Sequence, residues 1–108
     1  MGKQLAELTG ADTLAGDGFG ASVAIAGTTA IIGAPNHAND EGGAHMFVKT
    51  ADGWKETAEL EGSGIVGRDV SGWGGDFFGE SVAISGSTAV VGADGDANYA
   101  GRAYVFKA

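Results

Sequence analysis

Short runs of alternating or wholly apolar residues, separated by glycine-centred turns, dominate the chain from Ala21 onward. SVAIAG and TAIIGA are β-branched runs joined through Gly27-Thr28, and AHMFVK follows after the polar stretch PNHANDEGG. Such spacing suits strands and leaves no room for a helix. WKETAEL, from Trp54 to Leu60, has helix-forming glutamate and alanine, but the alternation Trp54, Glu56, Ala58, Leu60 also suits an edge strand with a polar outer side. It is read here as the fourth strand of an antiparallel meander.

The same pattern then recurs. Asp17 to Lys49 realigns without a gap on Asp76 to Ala108 at an offset of 59, with 17 identities over 33 pairs. A second match, KQLAELTG from Lys3 on KETAELEG from Lys55, has an offset of 52. The difference places an insertion in the glycine-rich stretch SGIVGRDVSGWGG, so residues 61–75 are expected to form a long loop between the repeats. The chain is therefore expected to be one unit over residues 1–108, cut out of phase with its repeat. It opens with an outer strand at residues 4–8, completes one four-stranded meander within residues 17–60, and ends with a second meander, residues 76–108, that lacks its own outer strand.

Two elements with the same internal spacing carry a family resemblance. Phe19-Gly20 with Gly33-Ala34-Pro35, and Phe78-Gly79 with Gly92-Ala93-Asp94, resemble the FG and GAP elements of the FG-GAP repeat found in integrin-α-like β-propellers. The resemblance covers nearly the whole chain, and the second copy departs from it at Asp94, where proline completes the element. It implies an all-β fold of propeller blades, each a four-stranded antiparallel meander, two per chain, in a family whose rings have seven. It also suggests an extracellular or cell-surface origin, although MGKQLAELTG lacks the apolar stretch of a secretory signal. Many relatives bind calcium in the first hairpin of the blade; here those hairpins, AIAGTTA and AISGSTA, carry no carboxylate, and that site does not transfer.

Two blades cannot close a ring. The expectation is a homo-oligomer in which Gln4, Leu5, Ala6, Glu7 and Leu8 of one subunit pair with Ala103, Tyr104, Val105 and Phe106 of the next, head to tail. Since about 51° per blade lies nearer to about 45° than to about 60°, an eight-bladed tetramer is favoured over a six-bladed trimer. The near-identical repeats and staggered ends suggest an engineered or excised fragment.

Composition narrows the function. A formal charge of −8 with only six lysines and arginines argues against a nucleic-acid partner. Twenty-one glycines without a triplet period exclude collagen, and no apolar run is long enough for a membrane helix. With no cysteine there is neither a disulfide nor a thiolate metal site. In a meander the 2–3 and 4–1 connections share one face of the ring. That places Asn36, His37, Asn39, Asp40, Arg68, Asp69, Trp73 and Tyr99 on a loop face suited to a protein or glycan ligand. Asp94, Asp96 and Asn98 have the spacing of oxygen ligands for calcium, but no later bidentate glutamate follows, and solvated turn residues are the preferred account. The remaining groups read as structural. Asp17 and Asp76 recur before each FG element as turn residues, His37 reads as loop, His45 as strand surface, and Trp54 as an anchor between blades. AGDGFG precedes a strand rather than a helix and is no phosphate loop. No nucleophile with its base stands out, so no enzyme and no cofactor are expected. The leading reading is a non-catalytic, self-assembling blade module; the alternative is a calcium-dependent or sugar-binding lectin.

Overall fold

The computed structural model describes residues 2–10, 13–37, 41–61, 76–93 and 101–108. Among these residues, seven strands make two antiparallel sheets. The first runs in the order β1 (Ser22–Ala26), β2 (Thr29–Ala34), β3 (Gly43–Thr50), β4 (Gly53–Leu60); the second is β5 (Ser81–Ser85), β6 (Thr88–Ala93), β7 (Arg102–Lys107). Both are meanders in chain order, as the repeat predicts, and the elements described are all strands. Two-residue turns at Gly27-Thr28 and Gly86-Ser87 close the first hairpins. Each opens on a glycine with positive φ, which matches the right-handed twist of the flanking strands.

The sheets pack face to face through one core. Ile31, Ala44 and Met46 from the first sheet meet Ala89, Val91 and Ala93 from the second, with Phe78 fully buried between them. Phe78 sits edge-on to Tyr104 and Phe106 at centroid distances of 5.5 and 6.0 Å. Removing a ring buried in this way costs about 3–5 kcal/mol.

Contact between the sheets is also made by bare backbone. Phe78 donates its N–H to Glu41 O at 3.0 Å and forms a parallel bridge with Gly42, while Ser22 Oγ donates to Gly79 O at 2.9 Å. A Cβ on Gly33 would collide with the carbonyl oxygen of Gly79, and one on Gly42 would collide with the Phe78 backbone. The FG element of the second repeat thus lies against the GAP strand and the start of β3 in the first, at a separation only glycine permits.

Three features of the sequence reading take a particular form in the single chain. Residues 4–8 carry no strand here, and none of the described strands pairs with them. Leu5 is 85% exposed, whereas Leu8 packs on Ala30, Ile32 and Phe47. The alternation Trp54, Glu56, Ala58, Leu60 does not keep one face, because the β3–β4 register slips between Met46 and Phe47: Met46 faces Ala58, yet Phe47 faces Glu56. This bulge turns Trp54 and Glu56 to one face and leaves Ala58 and Leu60 on the other. Trp54 consequently anchors the face of the first sheet that points away from the second, and does not lie between the two blades of the chain.

The FG turns also differ. Gly18 has φ +76°, and its counterpart in the second copy, Phe77, holds φ +56° with a full side chain, which costs on the order of 1–2 kcal/mol. Two outcomes follow for thermal melts. Gly33→Ala lowers stability by at least about 2 kcal/mol, because backbone must move to admit one methyl. Phe77→Gly leaves stability unchanged or raises it by up to about 1 kcal/mol, the reverse of an ordinary Phe truncation; a loss larger than that would mean the ring makes contacts outweighing the strain.

Candidate functional site

Titratable side chains gather at one corner of the first blade. Its centre is Asp17, 7% exposed, whose backbone N–H donates to Leu14 O at 3.1 Å while its Oδ2 accepts from Leu14 N–H at 2.9 Å. The Asp17 carbonyl accepts from Asn36 N–H at 2.9 Å, tying the FG turn to the loop after β2. The turn role expected for Asp17 is thereby realised. Asp17 Oδ2 also lies 2.7 Å from His37 Nδ1. The Leu14 amide, and beyond it His37, holds the Asp17 carboxyl below the usual carboxylate range, against the opposing effect of burial.

His45 departs from expectation. The sequence suggests strand surface, but the side chain is fully buried, under Phe19 at a centroid distance of 5.3 Å. Its Nδ1 lies 2.7 Å from Glu56 Oε2, and its Nε2, which has no hydrogen-bond partner, lies 3.6 Å from Glu59 Oε2. Glu59 also approaches His37 Nε2 at 3.7 Å, so one carboxylate stands between two imidazoles. The bulge makes this possible: residues 56 and 59 are an odd number apart and would face opposite ways along a regular strand. Tyr104 holds the corresponding place in the second repeat.

Among the described residues no three histidine or carboxylate groups form a set able to hold a metal ion. Of the loop-face residues expected from the sequence, Asn36 is exposed and His37 half-buried, both just after β2. Asn39, Asp40, Arg68, Asp69, Trp73 and Tyr99, and the calcium candidates Asp94, Asp96 and Asn98, lie outside the described residues. Of the assembly residues, Ala103 to Phe106 form the middle of β7, whose outer edge has no neighbouring strand in its sheet. Gln4 to Glu7 are exposed, and Leu8 is half-buried.

The depressed Asp17 carboxyl fixes the sign of an acid response. A carboxyl whose folded value lies below its unfolded value of about 3.9 contributes stability above that pH and loses it as pH falls through the folded value. Melts of the wild type should therefore fall more steeply than those of Asp17→Asn between about pH 5 and pH 3. Parallel curves would remove Asp17 as a source of the acid sensitivity.

Two tandem matches to the family model described as FG-GAP repeat cover residues 3–47 and 54–106. No curated protein matches the chain. With two glycine-pinned meanders, each entered through a Phe-Gly turn, and a family match over almost its full length, the chain belongs to the FG-GAP repeat family.

Proposed function

We propose that the chain is a non-catalytic β-propeller module that completes itself by head-to-tail assembly with further copies. FG-GAP repeats suggest a propeller-like module, and the family is generally non-catalytic.

The observation that carries the reading is the seat of Leu8. KQLAELTG aligns with KETAELEG, so Leu8 is the counterpart of Leu60. Leu60 packs into the cluster built on Phe78, and Leu8 packs into the cluster that includes Phe19, the counterpart of Phe78. This supports reading the N-terminal segment as the outer strand of a blade that precedes the first. At the other end of the chain, β7 has no counterpart to β4 among the described residues. An outer strand without a sheet and a sheet without an outer strand are complementary, and pairing residues 4–8 of one copy with β7 of another satisfies both rows of backbone groups. A tetramer, closing eight blades, is favoured over a trimer. The connections after β2 and β4 emerge on one face of such a ring, where they present a surface for a protein or glycan ligand.

Light scattering coupled to size exclusion at micromolar concentration should give a mass of four chains, with three as the other closed ring. Deleting residues 2–8 should reduce it to one. A wild-type chain that stays monomeric across the concentration range would refute the assembly.

A further inference from the structure

Beyond its unpaired strand ends, the second blade leaves one broad face uncovered, and the first leaves Val23 and Ile25 exposed beside its buried Ala30, Ile32 and Phe47; the repeat identifies what these surfaces fit. Within the chain, the face of the first sheet bearing Ala24, Ile31 and Met46 is covered by the face of the second bearing Val82, Ile84 and Val91. Each of these faces occurs again, unpaired, on the other repeat. Ala83, Val90 and Val105 are the counterparts of Ala24, Ile31 and Met46 at the offset of 59. Ile31 and Met46 are buried, whereas Val90 and Val105 are 37% and 69% exposed. Val23 and Ile25 are the counterparts of Val82 and Ile84, and stand 64% and 63% exposed.

We propose that the uncovered face of the second blade, Ala83, Val90 and Val105, docks on the uncovered face of the first blade, Val23 and Ile25, of a second copy of this chain, reproducing between chains the blade contact made within one. The proposal rests on the assembly reading above and specifies its apolar surface.

Three observations support it. The second blade's face carries an open depression of about 140 Å³ lined by Ala83, Ile84, Ser85, Thr88 and Val90. The equivalent part of the first blade, Ala24 and Ile31, packs in one cluster with Val82 and Ile84, so the depression stands where Val23 and Ile25 of a second copy would enter. The polar and close contacts carry over as well. Ser22 Oγ donates to Gly79 O within the chain, so Ser81 would donate to Gly20 O of the second copy, and Ser81 and Gly20 are both exposed. Gly33 has no room for a Cβ against Gly79, and its counterpart Gly92 retains the glycine that the same approach would demand. Finally, the two faces differ from one another, which makes the contact heterologous, the kind that extends until a ring closes.

Heterology gives the test a distinctive readout. Ile25→Lys disables only the first-blade face and Val105→Lys only the second-blade face. Both positions are exposed in the single chain, and each added cation reduces a net charge of −8, so general repulsion cannot explain lost association. Native mass spectrometry and light scattering should show each variant folded, as judged by circular dichroism, and associating at least tenfold more weakly than wild type. Ala51→Lys, at the β3–β4 turn, should assemble normally. Mixing the two weakened variants should restore one intact interface and give a 1:1 heterodimer that grows no further. If the wild type assembles and Ile25→Lys and Val105→Lys assemble equally well, or if their mixture forms no heterodimer, the face-docking proposal fails while the strand-exchange reading stands. A monomeric wild type overturns both.

Discussion

The approach of the Phe78-Gly79 backbone to Gly33 and Gly42 sets the distance between the two sheets, and the packing of the chain depends on that distance. Side-chain cores tolerate shape changes by rotamer adjustment, but a carbonyl oxygen held against a Cα has nowhere to move. Ser22 Oγ, the Phe78 amide and the Gly42 bridge fix the second blade's entrance on the first at polar points. Phe78 is then driven into the space between the sheets, where Ile31, Met46, Val91, Tyr104 and Phe106 form its cluster. Apolar burial supplies the stabilisation, while the glycines decide where it is obtained.

This division explains which parts of the molecule the sequence reveals. Strand order and hairpins are written in period-two apolar runs and glycine turns, and the duplication states them twice; β7 begins and ends at the residues the repeat assigns to it. The corner around His45 is not written that way. It depends on a single-residue slip between Met46 and Phe47, and a bulge leaves no reliable mark on composition. WKETAEL consequently reads as one alternating strand, although its first half faces one way and its second half the other. The same slip brings Glu56 and Glu59 to one imidazole, a pairing that spacing alone argues against. A faint signal was present in the substitution of His45 for the tyrosine of the second copy, since a position that accepts the large ring of Tyr104 in one blade is a poor choice for open surface in the other.

The duplication is imperfect in an informative way. The Asp17 turn, the Phe-Gly entry and the close-approach glycines recur, because each satisfies a backbone requirement of the blade. The residues that differ are those freed from it. His37 and His45 belong to the first blade alone, and Phe77 occupies a left-handed position that Gly18 fills without strain. The first blade has thus spent its variation on a polar corner beside the loop after β2, and the second on a strained turn at its entrance. The first blade's change reaches one apolar face, where His45 stands opposite Ile32 and beside Val23, yet Val23 and Ile25 themselves stay apolar.

That restraint bears on why the exposed valines and isoleucines have stayed apolar. A two-blade chain that functioned alone would gain solubility from polar side chains at positions 23, 25, 90 and 105, since isolated sheets with bare faces and open edges associate without control. Each of these positions nevertheless holds a β-branched residue matching a packed counterpart in the other repeat. Strand propensity alone would be met equally well by threonine, which appears in the same sheets at Thr29 and Thr88. Apolar side chains on both faces are what a blade needs when it has a neighbour on each side, and this chain supplies only one neighbour to each of its blades.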